Sequence, residues 1–289
     1  YTALSLGFEG AGPALEATER SALHARLHSD GVAAYVPPSD TEAQERMALL
    51  EGQLELAYQP IVAVAGNEQA QYQVLLRLRQ PDGTLLSAGQ VVPAAEASAR
   101  IADLAQQVME HALDMISSRA SPGTPLRLFV SQSPRTLARE AFADWLLQTI
   151  AQRGIDGTSV VIDLRLGDAL IHSVTLGEFC RRLMGAGVQF CLSQFEPGTE
   201  ADALLNQLPL GFVRMAGRFA GAHGDPQLRD QLRGVIDQAH RLGLQVIGQQ
   251  IEDPQAAAAM WMGGIDYIQG NLVHSVGTEL DFDFQNAVL

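Results

Sequence analysis

Lysine is missing altogether: all 19 basic residues of the 289 are arginine. That absence excludes Schiff-base chemistry, a P-loop phosphate site and any mechanism that needs an amine nucleophile. Cysteine is almost missing. Cys180 and Cys191 lie in apolar stretches without CxxC spacing, which rules out a disulfide framework and predicts reduced core thiols in a cytoplasmic protein. No apolar run approaches the roughly 18–20 residues that cross a bilayer. The opening YTALSLGFEG has no basic n-region or small-residue cleavage pattern, so neither export nor membrane insertion is expected. Positive charge is scarce as well. Against 33 acidic residues the arginines leave a net charge of -14, a field that repels nucleic acid and anionic lipid. None of the seven histidines stands in an HExxH context, and His24 with His28 has helix-face spacing but no third ligand, so the pair reads as an exposed helix face. No GxGxxG follows a strand, and Gly7, Gly10 and Gly12 have the wrong order for a dinucleotide fingerprint.

What is present is enough apolar content, 47% of the chain, for one large domain or two small ones. Residues 1–39 stand apart, with a strand-like ALSLGF, a helix-like LEATERSALHARL and a Pro37-Pro38-Ser39 linker. One strand and one helix bury no core of their own. From about Thr41, aliphatic runs alternate with amphipathic stretches, which predicts a parallel sheet with crossover helices. Eight strands are expected, at Leu54–Tyr58, Gln71–Leu78, Leu126–Val130, Val160–Leu164, Val188–Leu192, Phe212–Met215, Leu244–Gly248 and Asp266–Gln269. Helices are expected over Ala102–Ser117, Arg135–Gln152, Leu176–Met184, Pro226–Leu242 and Pro254–Met262, several opened by Pro or closed by Gly. Eight strands in about 250 residues point to an α/β fold of the (β/α)8 barrel type, with a doubly wound sheet as the weaker alternative.

In such a barrel the ligand lies at the C-terminal mouth, so the residues that end the strands carry the chemistry. They are Gln59, Arg77, Ser131, Asp163 to Arg165, Ser193, Gln194, Arg214, Gln249, Gln250 and Gln269. A Mg2+ or Mn2+ hydrolase needs several hard oxygen donors there and a base for the attacking water. Asp163 is the one carboxylate of that set, with Glu252 a little further on. Amides, hydroxyls and guanidinium groups can hold a polar anion but have little means of activating water.

These residues resemble a family. LELAYQPIVAVAGNEQAQYQVLLRLRQPDGTLLSAGQVVPAAE, from Leu54 to Glu96, is similar to the opening of EAL domains, the cyclic di-GMP phosphodiesterases, whose fold is a modified TIM barrel. LFVSQSPRTL from Leu126, VVIDLRLGDAL from Val160, the stretch from Gly187 to the RMAGRF run, and LGLQVIGQQIEDPQAAAAMWMGGIDYIQGNLV from Leu242 continue the likeness in order over about 240 residues. The resemblance also shows departures. The Glu-Ala-Leu signature is here Gln73-Val74-Leu75, Ser131 stands at the family's Asn, and Leu166 at a Glu. Ser193 and Gln194 replace an Asp pair, Arg214 a Lys, and Gln249 the general-base Glu. The resemblance therefore implies a degenerate EAL domain over residues 40–289, without metal and without hydrolysis, since a neutral amide is a poor Mg2+ ligand and no base.

The positions with which the family holds its nucleotide fare better. The resemblance implies cyclic di-GMP binding by Gln59, Gln73, Leu75, Leu76, Arg77, Ser87, Ile251, Glu252, Gln269 and Gly270. Arg77 would donate two parallel hydrogen bonds to a phosphodiester, and Glu252 would accept from guanine while Ile251 packs on its face. Metal lost and nucleotide kept resembles the FimX-type regulators of type IV pilus assembly, and implies a PilZ-domain protein as partner. Residues 1–39 resemble the end of a GGDEF domain, the remnant of a unit upstream.

Other features admit two readings. Glu252 could serve helix Pro254–Met262 electrostatically rather than bind guanine, with Asp253 as the capping residue. Gln73 is either a relic bonded to Ser131 or Gln249, or a ligand contact. Asp163 with Arg165 reads as a structural barrel pair rather than a metal remnant, because a lone carboxylate holds Mg2+ weakly. Met184, Met215, Met260 and Met262 read as core filler, and the DFDF tail as a capping strand or a docking edge. Beside the receptor stand a weak metal-dependent phosphodiesterase and an interaction domain that has lost the nucleotide.

Overall fold

Aliphatic alternation closes into a barrel in the computed structural model of the chain, which describes residues 40–66, 69–119 and 125–287. The strand, helix and GGDEF-like reading of residues 1–39, with His24 and His28, lies outside the described residues. Helix α1 (Asp40–Leu49) leads into strands β1 (Gln53–Pro60), β2 (Val62–Ala63), β3 (Ala70–Arg79) and β4 (Leu85–Ser87). There follow α2 (Ala88–Ala97), α3 (Ile101–Arg119), β5 (Leu126–Ser131), α4 (Pro134–Leu137), α5 (Glu140–Arg153), β6 (Val160–Arg165) and α6 (Leu166–Met184). The second half runs β7 (Gln189–Phe195), α7 (Thr199–Gln207), β8 (Phe212–Met215), α8 (Pro226–Arg241), β9 (Gln245–Gly248), α9 (Pro254–Met262) and β10 (Tyr267–Ile268). All eight expected strands form, and β3, β5, β6, β7, β8, β9 and β10 are parallel neighbours in that order.

Among the eight expected strands, the parallel sheet has one antiparallel exception, at its start. β1 pairs antiparallel with β3, Gln59 opposite Gln73 and Glu55 opposite Arg77. The link between them is too short for a crossover helix, which a parallel pair requires. Instead the same extended segment continues past Ile61 into β2, which pairs antiparallel with β10 and so joins the two ends of the ring.

Pleat alternation sets what faces where. Ile61, Phe129, Val161, Cys191, Phe212, Ile247 and Tyr267 meet in the lumen as an apolar plug. Their neighbours Leu128, Ile162, Phe190, Val213 and Val246 point outward into the layer of helices. Burial of these side chains contributes roughly 1.5–3 kcal/mol each, which is why register is so firmly held: a slip of one residue would exchange the two sets.

Several helices differ from expectation. Arg135–Gln152 is two helices, because Ser133 caps α4 by accepting from the Thr136 backbone N–H at 3.3 Å and the chain turns again before Glu140. Helix α6 starts ten residues earlier than Leu176, at Leu166, and kinks at His172, where φ is -118°. The tail is no strand. Phe284 packs edge-on against Tyr72 at 5.3 Å, and Tyr72 Oη accepts from the Phe282 N–H at 3.1 Å, so the tail covers the outer face of the β1–β3 hairpin. Met215 and Met260 are core, as expected, but Met184 and Met262 are exposed at helix ends.

Candidate functional site

The mouth follows from the plug by counting. Two residues beyond Phe129, Val161, Cys191, Phe212, Ile247 and Tyr267 the same face of each strand presents Ser131, Asp163, Ser193, Arg214, Gln249 and Gln269. One layer of hydrocarbon is thus capped by one layer of polar groups at the C-terminal ends of the parallel strands.

At the centre of that layer Arg214 of β8 reaches across β7 to the Asp163 carboxylate of β6, through Nη1 to Oδ2. Both side chains are 1% exposed. The guanidinium carbon lies 5.4 Å from the centre of the Phe129 ring, so the plug offers it a π face. Burial works against the charge on Arg214, but the Asp163 carboxylate and its hydrogen bond outweigh that, and the guanidinium is held more firmly protonated than usual. The pair is only half satisfied: Arg214 Nε and Nη2 and Asp163 Oδ1 are buried without hydrogen-bond partners. Cys191 lies below, its thiol pushed well above the ordinary value, chiefly by burial.

This corrects the pairing of Asp163 with Arg165. Arg165 is exposed at the start of α6, beside Asp168 and Glu96; burial raises both carboxyls, and Arg165 partly offsets it. The true partner was legible in one respect. Asp163 and Arg214 each follow a plug residue by two, which places both in the lumen at one level.

Around the pair the groups are neutral. Ser193 Oγ donates to the Leu164 carbonyl at 3.3 Å, and Gln249 Nε2 to the Met215 carbonyl at 2.7 Å. Gln269, 2% exposed, donates from Nε2 to Gln73 Oε1 at 2.6 Å and to Gln59 Oε1 at 3.3 Å. Gln73 is therefore bonded to neither Ser131 nor Gln249; the antiparallel hairpin sets it against Gln59 and next to the last strand. Gln194 and Gln250 follow Ser193 and Gln249 with left-handed backbone, φ 54° and 59°, a conformation uncommon outside glycine. The Gln250 carboxamide lies where a Cβ on Gly217 would be, 2.2 Å from its Oε1, so the small residue there admits it.

On the hairpin side Arg77 and Ser87 are direct cross-strand partners between β3 and β4. Arg77 is half-buried and its Nη1 donates to the Leu76 carbonyl at 2.9 Å. Ser87 precedes α2, its N–H donating to Gln90 Oε1 at 3.1 Å. Leu75 shares the pleat face of Gln73 and Arg77, whereas Leu76 points the other way and packs with Leu78, Leu86 and Val91. The pleat separates Leu76 from the other expected ligand residues.

At the β9 exit, Asp253 caps α9, its Oδ1 accepting from the Ala256 N–H at 2.8 Å, while Glu252 is exposed beside it. Ile251 is the residue expected to pack on the face of the guanine. It is 0% exposed in the outer core, locked by hydrogen bonds from its N–H to the Gln269 carbonyl and from the Leu272 N–H to its own. At Gly270 φ is +151°, and a Cβ there would lie 2.2 Å from the Ile251 carbonyl oxygen. Among the described residues no group of three or more His, Cys, Asp or Glu is placed to hold a metal ion.

Residues 42–275 match the EAL domain family. A relative, the cyclic di-GMP phosphodiesterase NbdA of Pseudomonas aeruginosa, is 28% identical over 237 residues, 80% of this chain and 30% of that protein. An uncharacterised 76.5 kDa protein of Thiocystis violacea is 25% identical over 239 residues, 83% of this chain and 34% of its own length. The chain thus spans about a third of these curated relatives. The crystal structure of the FimX EAL domain of Pseudomonas aeruginosa bound to c-di-GMP superposes with a TM-score of 0.78 at 23% identity, over 85% of this chain and 100% of that one. The c-di-GMP complex of the PaMucR phosphodiesterase gives 0.71 at 20%, over 82% and 94%. Both likenesses are of fold.

Proposed function

The chain belongs to the EAL domain family, and on that footing we propose that it is a receptor for cyclic di-GMP that neither holds a metal nor hydrolyses its ligand. The observation that carries the reading is the make-up of the mouth floor: the buried carboxylate Asp163 is already tied to Arg214, and Ser131, Ser193, Gln73, Gln249 and Gln269 around it are uncharged. A divalent cation of the Mg2+ or Mn2+ type wants several carboxylate oxygens, and this donor set does not fit one. Water activation needs a base near its working pKa, and an amide at Gln249 is none.

The same groups suit recognition. Arg77, flanked by Ser87, has the planar fork that pairs with a phosphodiester. Glu252, relieved of helix capping by Asp253, is a carboxylate acceptor for the N1 and N2 donors of guanine. Gln59, Gln73 and Gln269 form an uncharged amide network at the mouth, with Gln59 and Gln73 only partly buried. By its resemblance to FimX-type regulators, the reading extends to a cytoplasmic relay in type IV pilus control through a PilZ-domain partner. Among the described residues no helix is long and apolar enough to cross a membrane.

Calorimetric titration with cyclic di-GMP in EDTA tests the proposal. Binding that survives EDTA and weakens at least tenfold in Arg77→Ala is expected, with no linear dinucleotide formed when Mn2+ is supplied. Mn2+-dependent linear product would replace the receptor by a phosphodiesterase, the activity named for NbdA. Absence of binding with or without metal would leave an interaction domain. A PilZ domain bound equally with and without the nucleotide would remove the relay.

A further inference from the structure

We infer that Arg214 is the residue that shuts divalent metal out of this mouth, by acting as a resident cation on Asp163, and that restoring carboxylates at Gln73, Ser193 and Gln249 with Asn at Ser131 does not by itself rebuild a metal site. The inference rests on the metal-free reading above and goes further, since it assigns the exclusion to one side chain rather than to the absence of carboxylates.

Three observations carry it. First, Asp163 is the buried carboxylate of the floor, and its Oδ2 is bonded to Arg214 Nη1. Any cation seated on the floor would have to share that carboxylate. Second, the guanidinium is held from both sides, by Asp163 and by the face of Phe129 5.4 Å away, with 1% exposure, so it has no open direction in which to withdraw. A lysine at this position would behave differently: an ammonium is a compact charge on a flexible stem, whereas the planar guanidinium is a rigid fork set between Asp163 and the Phe129 ring. Third, the arrangement is electrostatically costly as it stands. Both charges are taken almost wholly out of water, at 1% exposure each, and a buried ion pair is often no better for stability than a well-packed apolar pair. The pair therefore makes sense less as a stabiliser than as a carboxylate neutralised by a fixed counter-charge. It leaves the floor with no net charge, so a dianionic nucleotide above it meets no bare carboxylate and needs no metal to shield one.

Mn2+ alone is the probe, read by electron paramagnetic resonance of free against bound ion. The comparison is between a chain carrying Gln73→Glu, Ser131→Asn, Ser193→Asp and Gln249→Glu with Arg214 retained, and the same chain with Arg214→Lys added. The positive charge is common to both chains, so the difference between them reads the guanidinium fork alone, which in Arg214 occupies the Asp163 oxygen that the ion would need. We expect no bound Mn2+ with Arg214, and binding at least tenfold tighter with Arg214→Lys. Equal Mn2+ affinity in the two chains overturns the inference, as does stoichiometric Mn2+ binding by the unsubstituted protein. If four changes prevent folding, the lighter set Gln73→Glu with Ser193→Asp in the same two backgrounds gives the same comparison. Failure of the receptor reading shows elsewhere, as absent cyclic di-GMP binding by the unsubstituted protein, and leaves the Mn2+ result intact.

Discussion

Removing the charge of Asp163 is the sharpest test of how the barrel floor is built. In Asp163→Asn, Arg214 loses its one ionic partner among the described residues while remaining 1% exposed. Withdrawing one member of a buried pair costs about 3–5 kcal/mol, because the remaining charge is stranded in low dielectric. For a domain of this size each kcal/mol moves the midpoint by about 2–4 °C, so a fall of roughly 6–20 °C is expected. Thermal unfolding followed by far-ultraviolet circular dichroism, checked by urea unfolding, measures it. The control is the double variant Asp163→Leu with Arg214→Met, which removes both charges and keeps the volume apolar. It is expected within about 1 kcal/mol of the parent, because exchanging a buried pair for hydrocarbon is often neutral or stabilising. The coupling from the four-membered cycle, with single variants Asp163→Leu and Arg214→Met, should then exceed about 2 kcal/mol. A loss below about 1 kcal/mol in Asp163→Asn, or a double variant as unstable as the sum of the singles, would refute the buried pair as described.

Gly270→Ala is expected to cost roughly 2–4 kcal/mol in urea unfolding, since its Cβ would meet the Ile251 backbone at 2.2–2.7 Å; a neutral result would mean the β9 and β10 exits are looser than described. Burial holds the Cys180 thiol up to about 12 and that of Cys191 well above its ordinary value. Ellman's reagent at pH 8 should therefore titrate neither thiol in the folded protein and both in guanidinium, and one rapidly reacting equivalent would contradict their burial. Phe284→Ala should destabilise by about 3–5 kcal/mol, because the ring closes the hairpin face over Tyr72; a shift under about 0.5 kcal/mol would make the tail an ornament.

Much of this was legible from the chain because it depends on local period and composition. Alternating runs such as VVIDLR and GVQFCLSQF place apolar residues in the lumen and outside by pleat alone, and Gly and Pro punctuate the helices between them. The neutral character of the mouth was legible too, since side-chain chemistry at strand ends needs no coordinates. Illegible were the features set by distance in sequence. The antiparallel first strand follows from the closure of the ring through β2 and β10. The burial of Ile251 follows from its hydrogen bonding to the chain after β10, and the pleat that turns Leu76 away from Leu75 becomes decisive only once β4 and α2 are packed behind it.

By itself, then, the sequence determined a barrel with an uncharged polar mouth, because hydrophobic period and side-chain identity are properties of single residues and their near neighbours. Only the tertiary structure decided that Asp163 answers to Arg214 rather than to Arg165, and Gln73 to Gln269 rather than to Ser131 or Gln249. Which of several equivalent partners a buried polar group takes depends on where the curvature of the closed ring brings strands that lie tens to hundreds of residues apart.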